Sequence, residues 1–126
     1  MNPKSILLVD DEAFMRRIME ATLRKGGFVL TQATDGQSAI ELIGGQRPDL
    51  IIMDVSMPRL DGLEALRQIK GDPATAAIPV IMLTARGHVL TRQEAEESGA
   101  DLFLTKPFSP SQLLVEACRL LGIDPP

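Results

Sequence analysis

A chain of 126 residues that is 44% hydrophobic and 24% charged has the composition of one globular domain with enough apolar side chains for a core, far from the polar, highly charged usage of disorder. With 17 acidic against 13 basic residues the net charge is -4, and no cluster of Lys or Arg is interleaved with aromatics, which argues against direct contact with nucleic acid. No apolar run approaches the roughly 20 residues of a membrane span, and Met-Asn-Pro-Lys-Ser at the start leads into aspartates rather than a signal peptide, so the expectation is one soluble, cytoplasmic domain over residues 1–126.

Along the chain, short β-rich apolar runs alternate with segments of helical period, and Gly or Pro punctuates the joins. Ile6 to Val9 reads as a first strand, followed by a helix over Ala13 to Lys25 with Met15, Ile18, Met19 and Thr22 or Leu23 facing inward, ended by Gly26-Gly27. Phe28 to Ala33 alternates like a more exposed strand, and Asp35-Gly36 opens a short helix through Ala39, Ile40 and Ile43. The third strand starts at Leu50 and ends in Asp54. A loop containing Pro58 leads to a helix from about Leu63 to Lys70, and Pro79 introduces the strand Val80 to Leu83. Gly87 delays a fourth helix, expected from about Thr91 to Ser98 and stopped by Gly99. Asp101 to Thr105 is the fifth strand, and a fifth helix starts near Pro110, suited to a first turn, and ends at Gly122. Strands separated by helices imply parallel pairing through right-handed crossovers, and the wholly apolar strands one, three and four suit a sheet covered on both faces. The expected fold is a three-layer α/β sandwich.

The polar residues fall at the carboxyl ends of these strands: Asp10-Asp11 after strand one, Asp54 on strand three, Thr84 on strand four and Lys106 after strand five. In an open parallel sheet that edge borders the crevice at the topological switch point, so these side chains should converge. Three carboxylates in a partly desolvated crevice repel one another unless cations are supplied. Lys106 supplies one, and an all-oxygen set suits Mg²⁺ as the second better than a transition metal bound by sulfur or imidazole. A carboxylate beside such a metal and an ammonium can attack phosphorus. Asp54 is the best-placed nucleophile, Asp10 and Asp11 are suited to the metal, and Thr84 adds a hydroxyl donor. A plainer account, that Asp10 or Asp11 caps the helix that follows, explains one aspartate and leaves the rest of the constellation without a reason.

The pieces "ILLVDDE" at 6 to 12, "DLIIMDVSMPRLDG" at 49 to 62, "PVIMLTA" at 79 to 85 and "GADLFLTKPF" at 99 to 108 resemble the receiver domains of bacterial two-component response regulators, over nearly the whole chain. That resemblance implies a flavodoxin-like sandwich, a five-stranded parallel sheet of order 2-1-3-4-5 flanked by five helices. It implies that Asp54 accepts a phosphoryl group from a sensor histidine kinase or a histidine phosphotransfer protein, with Mg²⁺ (or Mn²⁺) held by Asp11, Asp54 and the backbone carbonyl of Ser56, and by Asp10 through water. Thr84, Lys106 and the backbone of Ala85 would bind phosphoryl oxygens, and Lys106-Pro107 would be a cis peptide. Thr84 and Phe103 would form the switch, Ser56 and Arg86 would tune the phosphoryl lifetime, and a downstream protein would dock on the face of the fourth helix, fifth strand and fifth helix. Phe103 departs from the tyrosine common at its position.

Such a protein is a signalling switch rather than an enzyme, its catalysis confined to its own phosphorylation and slow autodephosphorylation. The competing reading is a small Mg²⁺-dependent phosphatase or phosphotransferase with an aspartyl-phosphate intermediate, although Asp10-Asp11-Glu12 lacks the Asp-x-Asp of the haloacid-dehalogenase type and no chain is left for a cap. A nucleotide binder lacks a Gly-rich loop after strand one. Among lesser features, Cys118, the one cysteine, reads as a packed thiol, His88 as a loop residue, Arg16-Arg17 as a solvated helix face, and Met15 and Met19 as core.

Overall fold

The computed structural model describes residues 3–55, 61–84, 94 and 97–126. Among the described residues the chain forms β1 (Ser5–Val9), α1 (Ala13–Arg24), β2 (Val29–Ala33), α2 (Gly36–Gly45), β3 (Leu50–Asp54), α3 (Gly62–Gly71), β4 (Val80–Thr84), β5 (Leu102–Thr105) and a C-terminal helix α4 (Pro110–Leu121). The strands pair in parallel in the order β2-β1-β3-β4-β5. Five helices were expected and four are described. The expected fourth falls mostly on residues outside the described set, and of it Glu94, Glu97 and Ser98 have helical backbone.

Period-two alternation sorts the strand side chains into two cores. Leu7, Val9, Ile51, Met53, Val80 and Met82 pack with Ala39 and Ile43 of α2 and Ala65, Leu66 and Ile69 of α3. Ile6, Leu8, Leu50, Ile52, Ile81 and Leu83 pack on the other face with Met19 and Leu23 of α1 and Leu113, Leu114, Ala117 and Cys118 of α4. Because β3 and β4 are buried throughout, they can be apolar at every position before the last, whereas the edge strand β2 exposes three of its five residues. Each fully buried Leu, Ile or Met is worth about 1.5–3 kcal/mol of transfer free energy, and the double-faced sheet is where most of it is collected.

Local chemistry fixes the helix ends. Asp35, Asp61 and Ser109 accept the N–H groups of Ser38, Glu64 and Gln112 as N-caps of α2, α3 and α4, using donors that the first turn leaves without partners. Pro110 opens α4, and Gly122 closes it in a left-handed conformation with φ 71°. The start of α1 is different: its N-cap, Glu12, makes no side-chain cap bond. No helix among the described residues is long and apolar enough to cross a membrane.

Candidate functional site

The alternation that builds the cores also aims the site. Asp10 follows Leu8, Asp54 follows Ile52 and Lys106 follows Leu104 at two-residue spacing, so all three leave the sheet on the α1/α4 face. Register completes the convergence, because β1 and β3 are neighbours with Val9 opposite Met53. Asp10 and Asp54 therefore stand side by side at the carboxyl edge.

Lys106 joins them. Its Nζ donates to Asp10 Oδ2 at 3.0 Å and to Asp54 Oδ2 at 3.1 Å, and the side chains are 15%, 0% and 6% exposed respectively. Asp10 Oδ1 accepts the Glu12 N–H at 2.9 Å, an Asx turn rather than a helix cap. Neither aspartate is thus spent as the N-cap of α1, and the capping account of the acidic pair fails. Burial pushes the Asp10 carboxyl above its ordinary value; the Glu12 N–H and Lys106 pull it back in part, and the Asp54 charge adds to the rise. For Lys106, burial lowers the ammonium, but the hydrogen bond and charge of Asp10, then those of Asp54, reverse this and hold it above its ordinary value. The pair of carboxylates and the ammonium are one electrostatic unit.

Asp11 and Glu12 lie exposed just outside this unit. One carboxylate oxygen from each of Asp10, Asp11 and Glu12 falls within 4.8 Å of the others. This all-oxygen donor set fits a hard divalent cation that keeps several waters. Glu12, exposed beside the two aspartates, is not among the ligands read from the sequence.

At the end of β4, Thr84 is buried, and its hydroxyl donates to Leu104 O at 3.4 Å and lies 3.5 Å from Thr105 Oγ1. By parity it sits with Met82 and Phe103 on the opposite face of the sheet from Asp54. Phe103 pairs in register with Met82 and is half-buried against the α2/α3 core. The Lys106-Pro107 peptide is cis. Ser56, Ala85, Arg86 and His88 lie outside the described residues.

Gly62 brings α3 up to the phosphoacceptor candidate. Its N–H donates to Val55 O at 2.8 Å, and a Cβ on it would overlap the Asp54 carbonyl oxygen and lie 2.9 Å from Val55 Cα. The sequence "DG" at 61 to 62 is therefore a cap followed by a residue without a side chain, because backbone meets backbone there.

Arg16 and Arg17 do not share a solvated face. Arg17 is exposed, whereas Arg16 is half-buried and donates to the Asp10 carbonyl at 2.7 Å and to Gln32 Oε1 at 3.1 Å. Met19 is core and Met15 packs at its margin; buried Cys118 has its thiol pushed up by burial, which keeps it protonated.

The response regulator receiver domain family matches residues 6–117, and the chain belongs to that family. It is 41% identical over 118 residues to the phosphate regulon transcriptional regulatory protein PhoB of Pseudomonas aeruginosa, over 94% of this chain and 52% of that one. Among solved structures, the chemotaxis response regulator CheY4 of Vibrio cholerae superposes with a TM-score of 0.86 at 32% identity, covering 94% of this chain and 99% of that one. The receiver domain of a Pseudomonas aeruginosa sensor histidine kinase, solved with a magnesium ion coordinated in its active site cleft, gives 0.86 at 34% identity, covering 96% and 99%. The chain spans about half the length of the curated relatives it matches. Receiver domains are the signalling switches of two-component systems and pair with histidine kinases; they are generally not classical enzymes.

Proposed function

We propose that residues 1–126 form one receiver domain that works as a phosphorylation-dependent switch, with Asp54 as phosphoacceptor. The observation that carries this reading is the Lys106 bridge between two buried carboxylates at the carboxyl edge of the sheet. A carboxylate oxygen of Asp54 forms the new O–P bond as the N–P bond of a phosphohistidine on a kinase or phosphotransfer protein breaks, and the departing imidazole takes up a proton. Lys106, already within reach of Asp54, neutralises phosphoryl oxygens as the transfer proceeds. Thr84 and the backbone of Ala85 donate to the same oxygens.

Asp11, Asp54 and the Ser56 carbonyl would hold Mg²⁺ or Mn²⁺, with Asp10 acting through a water, since its own two oxygens are engaged by Lys106 and the Glu12 N–H. The bound cation supplies positive charge beside the phosphoryl oxygens, lowering the cost of bringing an anion to an acidic site. Ser56 and Arg86, two residues beyond the phosphoacceptor and beyond Thr84, set the lifetime of the acyl phosphate. Thr84, on the other face of the sheet but at its carboxyl edge, then turns from its bond with β5 towards the phosphoryl group and Phe103 turns inward, altering the face made by the expected fourth helix, β5 and α4, where a downstream protein docks. With a net charge of -4, the chain itself binds neither nucleic acid nor membrane, and it acts in the cytoplasm.

Incubation with acetyl phosphate and Mg²⁺ should give one acid-stable, hydroxylamine-labile adduct, absent in Asp54→Ala. An Asp54→Ala chain labelled at the wild-type rate refutes the assignment, and turnover of generic phosphomonoesters would make it an enzyme instead.

A further inference from the structure

Among the described residues, three of the four helices begin with a side-chain cap, whereas α1, which follows the acidic pair directly, does not. What holds this junction is the Asp10 backbone and the groups around it. The Asp10 N–H donates to Ala33 O at 3.2 Å, its carboxylate is shared between Glu12 N–H and Lys106, and its carbonyl receives the Arg16 guanidinium at 2.7 Å. That carbonyl belongs to the peptide joining Asp10 to Asp11, so the Arg16 bond sets the orientation of the link between the two aspartates. Arg16 is itself aimed from β2 by Gln32 Oε1, and Gln32 Nε2 donates to Glu20 Oε2 at 2.5 Å, which fixes the amide's orientation.

We infer that Arg16, oriented by Gln32, is a positioning residue that presents the Asp11 carboxylate for divalent-cation binding. The inference rests on the proposed metal site. A guanidinium near that site repels a cation, so on charge alone its loss tightens binding. A positioning role gives the opposite sign, because a carbonyl without its donor leaves the Asp10-Asp11 peptide free to turn and Asp11 must be ordered by the metal itself. Groups that hydrogen-bond a ligating side chain directly are worth about 10–100-fold in metal affinity; Arg16 acts through the peptide that carries Asp11, so its effect belongs at the lower end of that range.

Mg²⁺ affinity is measured by isothermal titration calorimetry on the intact chain and on Arg16→Met, Arg16→Lys and Gln32→Leu, with thermal unfolding followed in parallel. Arg16→Met should bind Mg²⁺ about tenfold more weakly despite losing a positive charge. Gln32→Leu, which changes no charge, should weaken binding in the same direction by a smaller factor, and Arg16→Lys, which keeps the charge without the fork, should fall between wild type and Arg16→Met. Arg16→Met binding as tightly as wild type, or tighter, overturns the inference. Should Arg16→Met not fold, Gln32→Leu decides, and an unchanged affinity overturns it equally. A wild-type chain that takes no Mg²⁺ overturns the reading of the site and the inference with it, whereas tight wild-type binding with unaffected variants overturns the inference only.

Discussion

Replacing Lys106 with methionine keeps the length and apolar stem of the side chain and removes one charge from between two buried carboxylates. Removing one partner of a buried ion pair costs roughly 3–5 kcal/mol; the residual solvent contact of Lys106 and the freedom of the carboxylates to share a proton lower this, so about 2–4 kcal/mol is expected near neutral pH. The loss should depend on pH in a defined way. In wild type the Lys106 pKa is raised, so its stabilisation is fully present below the unfolded lysine value of about 10 and disappears as pH rises through the folded value. In Lys106→Met the Asp10 carboxyl, raised by burial even in wild type, loses the ammonium that lowered it. Its penalty is therefore present above its folded pKa and relieved as pH falls through it, towards the unfolded value of about 4. The difference between the two proteins should form a plateau from neutral to mildly alkaline pH that shrinks at both ends. Urea unfolding followed by far-ultraviolet circular dichroism, with EDTA present, measures it; the chain has no Trp or Tyr, so intrinsic fluorescence is of little use. A difference under about 0.5 kcal/mol at pH 8, of the size of an exposed pair, or one that grows on acidification, refutes the buried-triad account.

Asp11→Asn should weaken Mg²⁺ binding more than Asp10→Asn does, because Asp10 Oδ1 and Oδ2 already have partners while Asp11 is exposed; equal losses in a titration remove the distinction. Gly62→Ala should destabilise by about 1–3 kcal/mol or more, overriding the roughly 1 kcal/mol that alanine gains in a helix, because the Asp54–Val55 backbone occupies the place of the new methyl. Gly44→Ala, with nothing within 4 Å of its added Cβ, should instead raise the urea midpoint, and the two variants having the same sign would show that packing at Gly62 is not what decides.

The strands and the convergence of Asp10, Asp54 and Lys106 were legible because each depends on a repeat of two and on parallel order, both visible as apolar runs ending in a polar residue. Thr84 was placed correctly at a strand end, but its facing away from Asp54 with Phe103 follows from parity, which a list of strand ends does not convey. Arg16-Arg17, two basic residues on a helix, reads in sequence as a solvated face, and nothing in a helical stretch marks the bond from Arg16 to a carbonyl six residues earlier. The close approach at Gly62 was hidden for a related reason: a glycine after an aspartate reads as a cap or turn, and the partner that forbids a side chain lies eight residues back on another element. Lys70 shows the same limit at the other edge of the sheet, where its ammonium donates to Ile78 O at 2.7 Å and to Ala76 O at 3.1 Å; in sequence it is only the basic residue of a last helical turn.

Lys106 follows β5, an edge strand and the last in the chain, whereas Asp10 and Asp54 stand at the ends of the central pair β1 and β3. Pairing of the central strands brings the two aspartates side by side, and the ammonium that neutralises them arrives only with the edge strand. Until β5 docks, their repulsion opposes closure of the sheet, and its docking removes that repulsion. Completion of the edge and completion of the acidic site are thus a single event. A molecule whose last strand has come away loses, in the same step, the cation that bridges Asp10 and Asp54.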